Sequence, residues 1–318
     1  MRDVDAGTYA REVLPHTARL WAGRRDFDTY VAQVLEIARS PYGRRYYRTV
    51  GLYDDATLVA SFKRYQRSMH LETQRLQAVG IGAVFTPAQY RGRGYATAML
   101  AAELDRARAQ GCDVAYLFSD IAPAFYASLG FRELPSREIS LRADALPATR
   151  LVPARLEERD WSGVRRCFEI EERRRAGGFA RTALVWDWIR LLMLRGAGRA
   201  CGQETNLVLR GRGRNVEAYV LGERDPVRDA FVVEEFGFSG EAGARAVTAL
   251  LRAAAGDLRR VTGWLPPGGG RDLLPRGVVR KRRRAIFMAA PLSPAGSLMV
   301  RTLAASADSD PCWHADHV

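Results

Sequence analysis

Ile81-Gly-Ala-Val-Phe-Thr-Pro-Ala-Gln-Tyr-Arg-Gly-Arg-Gly-Tyr-Ala96 is the stretch on which the fold of this chain turns. A Val-, Ile- and Gly-rich run ends at Thr86 and reads as a strand. After a short turn, Arg91-Gly-Arg-Gly-Tyr-Ala96 opens a helix. The first amide N–H groups of a helix lack internal partners and carry partial positive charge. Gly92 and Gly94 remove side chains, so an anion can approach the backbone, and Arg91 and Arg93 add charge. The chain holds its own control at Arg210-Gly-Arg-Gly-Arg214. Those letters are nearly the same, but strand patterns flank them on both sides, so a hairpin turn is expected there.

Working outward, the first forty residues read as helical, with Leu14, Leu20 and Trp21 on one face and Tyr30, Val34 and Ile37 on another. Arg45–Leu52, Thr57–Met69 and Leu76–Thr86 follow as three strands with short turns, an antiparallel meander. Tyr95–Gln110 places Ala96, Met99, Leu100, Leu104 and Ala107 on one helical face, and Gly111 stops it. Val114–Phe118 is a strand, Pro123 opens a second helix, and Phe131–Leu134 with Ile139–Leu141 are read as closing strands. From about residue 148 the order repeats: helices, hairpin, strand (Ala230–Phe238), helix (Glu241–Ala255), then strands Val261–Leu265 and Ala285–Ala290. The expectation is an α/β chain of two units, 1–147 and 148–318, each a mixed, mostly antiparallel sheet flanked by helices.

Composition narrows the classes. Hydrophobic residues make up 47% and charged residues 27%, an ordinary globular balance. No apolar run suits a membrane span or a signal peptide, so a cytoplasmic protein without membrane attachment is expected. The four cysteines are scattered, which argues against a disulfide framework. Cys312-x-His314-x-x-His317 is too slight a pattern for a metal site, and none is expected. The net charge of +13 raises a nucleic-acid partner, but only Lys63 and Lys281 among 49 basic residues are lysine. That is a bias spread over the whole chain, with no reading motif, and no nucleic-acid partner is expected. The dense run Arg280–Arg284 reads as a solvated strand end or as a patch for an anion.

Arg91-x-x-Gly94-x-Ala96 resembles the R/Q-x-x-G-x-G/A loop of the GNAT superfamily of acetyl-CoA-dependent N-acetyltransferases. Ser119-Asp-Ile-Ala-Pro-Ala-Phe-Tyr-Ala-Ser-Leu-Gly-Phe131 is similar to the family's strand–helix segment ending in Tyr-x-x-Leu-Gly-Phe. The two motifs cover roughly residues 45–141. The wording around them is similar more narrowly to fungal-type lysine N-acetyltransferases. The two-unit build is similar to the enhanced-intracellular-survival acetyltransferases, with a degenerate second copy.

The resemblance implies roles residue by residue. Val84, Phe85 and Thr86 would lie on a strand that splays from its neighbour and hydrogen-bonds the pantetheine arm of acetyl-CoA. The amides of Arg91, Gly92, Arg93, Gly94, Tyr95 and Ala96 would hold the pyrophosphate, and Ser119 would touch the cofactor. Tyr126 would protonate the leaving thiolate. Asp120 would bind a cationic amine or cap the helix that Pro123 opens. The family's glutamate before the loop is absent, since residues 76–86 hold no acid. That leaves Glu72 upstream, a candidate for the substrate amine or its proton, and the carboxylate of Val318 as candidate bases. The tail Trp313–Val318 either returns to the first unit's site or frays. In the second unit, Glu234, Glu235 and Glu241 would set negative charge where a pyrophosphate would sit. The expected activity is direct transfer of acetyl to a primary amine of a small molecule. A non-catalytic acetyl-CoA sensor and a peptide or protein N-acetyltransferase are the alternatives.

Overall fold

The computed structural model describes all residues except 23–24, 122, 149–151, 195–202, 212, 214, 307–309 and 318. After β1 (Arg2–Val4), four helices follow: α1 (Ala6–Glu12), α2 (Leu14–Trp21), α3 (Phe27–Arg39) and α4 (Pro41–Tyr46). Asp5, Asp26 and Ser40 cap α1, α3 and α4 by accepting from Thr8, Thr29 and Gly43 N–H groups. Leu14 is buried as expected, whereas Leu20 is 60% exposed and does not share its face.

β2 (Tyr47–Asp54), β3 (Thr57–Leu71) and β4 (Gln74–Phe85) form the expected antiparallel meander. α5 (Tyr95–Ala109) crosses over to β5 (Val114–Ser119), which pairs parallel with β4. Met99, Leu100, Leu104 and Ala107 of α5 bury against Val79, Ile81 and Leu117. The one carboxylate on that face, Glu103, is fully buried and accepts from Arg64 Nε at 2.6 Å, so the charge is matched. α6 (Ala124–Ala127) and β6 (Arg132–Glu133) complete this half.

The chain continues through β7 (Arg137–Arg142), still ahead of residue 147, and then β8 (Ala154–Arg155), α7 (Trp161–Glu172), β9 (Gly177–Ala180) and α8 (Ala183–Leu194). β10 (Gln203–Glu204), β11 (Leu207–Arg210), β12 (Val216–Asp225) and β13 (Ala230–Phe238) follow, then α9 (Gly240–Ala255) and β14 (Arg260–Trp264). β15 (Val278–Lys281), β16 (Ile286–Pro291) and α10 (Pro294–Ala304) come last.

The two sheets repeat one plan. The first runs β1-β2-β3-β4-β5-β16-β6, with β9 also on β3; the second runs β15-β7-β14-β13-β12-β11-β8, with β10 on β12. In each, three antiparallel strands meet a parallel neighbour through a helix, and that neighbour pairs antiparallel with a strand from the other half. Ile139 and Leu141 therefore close the second sheet against β14, not the first as the sequence suggested. Ile286–Pro291 instead lies along the whole of β5. Both exchanged strands cross the expected division at residue 147. β16 suits its place because both faces are covered: Ile286, Met288 and Ala290 meet the α5 layer, and Phe287 and Ala289 the α10 layer.

Candidate active site

β4 and β5 are paired from Ala78–Val114 to Ile81–Leu117 and no further, although β4 runs on to Phe85 and β5 to Ser119. The cause lies in β4. Three steps along it, Gly82 to Phe85, match two steps of β3, Lys63 to Ser61, and Ala83 takes a φ of 46°. This bulge turns the strand end away from β5. A wedge opens, and among the described residues no strand pairs with its β4 edge at Val84 and Phe85. An extended ligand arm can add there as a strand would.

The loop follows directly. Ala88–Tyr90 makes one 3-10 turn, and α5 starts with Gly94 as its N-cap and no side chain capping it. Gly92 and Gly94 have φ of 76° and 79°, and nothing lies within 4 Å of where a Cβ would be. Residues 91–94 are exposed, so the uncapped amides face an open cradle. Arg91 Nε donates to Thr86 O at 3.1 Å, and the Arg93 guanidinium lies 5.8 Å from the Tyr90 ring centre. Tyr95 donates to Asp54 Oδ2 at 3.0 Å, steadying the first turn. These features fit a pyrophosphate bound to backbone amides.

Tyr126 joins Val84 and Tyr95 in one apolar cluster on the α5 side of the sheet. Phe125 and Phe131 flank its ring at 5.0 and 6.1 Å. Burial, with a lesser push from Asp120, raises its phenol to about 12. The proton is therefore held at neutral pH. Ser119 is buried, and its hydroxyl donates to Ile121 O at 2.9 Å.

Two expected roles change. Asp120 does not cap α6, whose N-cap is Pro123 without a side-chain bond. Its carboxylate instead accepts from Ala285 N–H at 3.0 Å, fixing the entry to β16. Glu72 sits in the β3–β4 turn at the opposite end of β4, roughly 35 Å from the loop along the strand. It is exposed and shares no surface with the wedge. Val318 lies outside the described residues.

The face opposite α5 carries residues that the sequence reading missed. Phe85, at the end of β4, is stacked at 6.1 Å with His16 of α2. Phe118, at the end of β5, meets His317 edge-on at 4.9 Å. The wedge is thus flanked by two imidazoles on the side away from Tyr126. Ring contacts between residues about 70 and 200 apart leave no trace in local sequence. His317 belongs to a tail that is packed, not frayed: Trp313, Ala315 and Asp316 are buried. Asp316 meets Arg67 of β3 at 3.1 Å and Arg181 at 3.0 Å, and Arg181 also pairs with Glu235 of β13. Burial pushes the Asp316 carboxyl up, but the two arginines outweigh it and hold it below the usual carboxylate range.

The second sheet repeats the wedge. β13 and β14 pair only from Ala230–Arg260 to Val233–Gly263. Here the tail fills the opening. Trp313 meets Phe236 at 4.8 Å, and His314 stacks on Trp264 at 4.6 Å with its Nδ1 3.2 Å from Glu234. Glu234 and Glu235 therefore point into this buried network and not toward a pyrophosphate position. Only Glu241 stands at the start of α9, exposed and paired with Arg245. The basic run divides as well: Arg280 and Lys281 are in β15, while Arg282 is buried 3.4 Å over the Trp264 ring. Among the described residues, no group of three or more His, Cys, Asp or Glu is arranged to hold a metal ion, and no helix is long and apolar enough to cross a membrane.

Residues 19–134 match the family described as acetyltransferase (GNAT) domain. No curated protein matches the sequence. Among solved structures, a conserved protein of unknown function from Enterococcus faecalis V583, described as a probable N-acyltransferase, aligns over 95% of this chain and 73% of its own, with 16% identity and a TM-score of 0.71. A GCN5-related N-acetyltransferase from Kribbella flavida aligns over 94% and 73%, at 18% identity and a TM-score of 0.67. Saccharomyces cerevisiae N-myristoyltransferase with bound myristoyl-CoA aligns over 91% and 82%, at 10% identity and a TM-score of 0.56. At these identities the likeness is one of fold, and it extends through both sheets.

Proposed function

For a chain whose residues 19–134 match the acetyltransferase (GNAT) domain family, we propose transfer of acetyl from acetyl-CoA to a primary amine of a small molecule. The observation that carries this reading is the open wedge between β4 and β5, continuous with the uncapped start of α5. Val84, Phe85 and Thr86 hold the pantetheine arm, the amides of Arg91–Ala96 hold the pyrophosphate, and Ser119 closes the wedge on the β5 side. The amine enters from the face of His16 and His317 and attacks the thioester carbonyl directly. Holding both partners in line supplies much of the rate. Tyr126, on the other face, returns a proton to the leaving sulfur.

The carboxylate of Val318, which follows His317 in the sequence, is proposed to take the proton from the incoming ammonium through water. Asp120, bound to Ala285, acts by positioning β16. The second sheet is a degenerate copy of the first, its wedge filled by the tail. Setting in the cytoplasm suits Cys112, Cys167 and Cys312, which are free and buried. Narrowing to lysine as acceptor rests on the local wording of the two motifs.

Thiol release from acetyl-CoA across a panel of primary amines tests the proposal. Release with at least one amine, lost on Gly94→Val, supports it. Tight acetyl-CoA binding without release on any amine would favour a sensor.

A further inference from the structure

On the face of the second sheet away from α9, a cavity of about 350 Å³ lies over β7, β14 and β15. Its floor is set by strand register. Arg280, Glu138 and Trp264 stand in one row across the three strands, and Val278, Ser140 and Thr262 in the next. Arg260 lies one row further and donates to Ser140 Oγ from Nε at 3.0 Å. Arg228 reaches in from the β12–β13 turn, 3.4 Å from Asp225. Arg228 is already paired with Asp225, so Arg260 and Arg280 are the guanidiniums that stand over Glu138, the carboxylate of the cavity lining. Arg280 forms no ion pair among the described residues and stands opposite Glu138 in the β15–β7 register.

Ring contacts connect the cavity to the wedge. Trp264 and His314 wall its near end, His314 is 6.0 Å from His317, and His317 lies against Phe118 at the end of β5. A continuous aromatic and imidazole wall joins the basic floor to the place where the amine would stand.

Resting on the transferase reading, we infer that this cavity holds the anionic end of the acceptor, a carboxylate or phosphate carried several bonds from the reacting amine. Planar guanidiniums bind such oxygens through two parallel N–H bonds. The four steps along β14 from Arg260 to Trp264 span roughly 13 Å, so the two ends of the acceptor are well separated. Trp264 gives its carbon chain an apolar surface between them.

Hexylamine, 1,6-diaminohexane, 6-aminohexanoate and 6-aminohexyl phosphate share a chain and differ at the far end. With acetyl-CoA, the two anionic amines are expected to show at least a tenfold higher kcat/KM than the other two. The Arg260→Gln, Arg280→Gln double variant should bring that ratio near one, mostly through KM. Both arginines are exposed, so the fold is not at stake. Calorimetric titration of 6-aminohexyl phosphate into the CoA-loaded chain reads the cavity without turnover: binding in the wild type and none in the double variant is expected. Turnover of all four amines with no preference, or phosphate binding unchanged in the double variant, would overturn the anionic subsite while leaving the transferase intact. Phosphate binding lost in the double variant, with no amine turned over, would keep the subsite and count against the transferase.

Discussion

The two wedges of this molecule have the same strand plan and opposite contents. Between β4 and β5 the opening is bordered by glycines at positive φ and by exposed amides. Between β13 and β14 the same opening is packed with Trp313, His314 and the Asp316 network. Gly240, the first residue of α9, shares the positive φ of Gly94 at 67°, and α9 likewise starts without a side-chain cap. Backbone geometry at a helix start is therefore not what makes a site. What differs is whether the chain's own residues already fill the wedge beside it. The second wedge holds a piece of the chain's own tail, and that piece carries His317 to the first wedge.

The largest effect is expected at Tyr126. Tyr126→Phe keeps the packing against Phe125 and Phe131 but removes the proton donor, and kcat should fall roughly 10²–10⁴-fold with KM for acetyl-CoA little changed. Because the phenol is raised to about 12, no activity loss from its ionisation should appear in a wild-type pH profile at or below pH 10. A descending limb near neutrality that disappears in Tyr126→Phe would contradict this assignment.

Next comes Asp316, which links the two sheets and the tail. Asp316→Asn leaves Arg67 and Arg181 buried without their shared partner, at a cost of about 3–5 kcal/mol. The folded carboxyl lies below its ordinary value. Its contribution is thus complete above the unfolded carboxylate pKa and is lost as pH falls from about 4 through the folded value. Denaturant melts from pH 7 downward should show the variant weaker at neutrality and lacking that part of the acid loss. Equal stability at pH 7 would remove the link.

Smaller is the effect of opening the second wedge. Trp313→Ala should cost about 3–5 kcal/mol of stability at most, less where Phe236 and Trp264 collapse inward. It should create no second acetyl-CoA site, since Glu241 stays at the start of α9. Thermal shift with and without acetyl-CoA checks both halves of that statement. The smallest change is expected from Gly240→Ala: a left-handed residue away from any ligand, about 1–2 kcal/mol of strain, and an unaltered KM.

Much of the first wedge could be read from the sequence because its determinants are local. The run to Thr86, the glycines at 92 and 94 and the apolar face of α5 lie within thirty residues of one another. The bulge at Ala83 could not be read, because nothing in Gly-Ala-Val marks one alanine for positive φ; the mismatch with β3 creates it. Strand exchange was also hidden. Ile139–Leu141 and Ile286–Ala290 alternate or bury as strands should, but side-chain period identifies a strand and not its neighbour. Glu72 and Asp120 are acids near the two motifs in sequence, and sequence distance says nothing of which end of a strand or which amide they meet. Strand direction sets Glu72 at the far end, and the amide of Ala285, 165 residues on, claims Asp120. His16, Phe118 and Trp264 matter only through contacts with residues distant along the chain.

Acetyl-CoA binding stoichiometry in the paired variants Gly94→Val and Gly240→Val tests the difference between the two wedges most directly. Each substitution adds a branched side chain at positive φ beside an uncapped helix. One site per chain is expected in the wild type and in Gly240→Val, with binding weakened by more than tenfold in Gly94→Val alone. Two sites per chain, or binding lost in Gly240→Val and kept in Gly94→Val, would contradict the assignment of the cofactor to the first wedge.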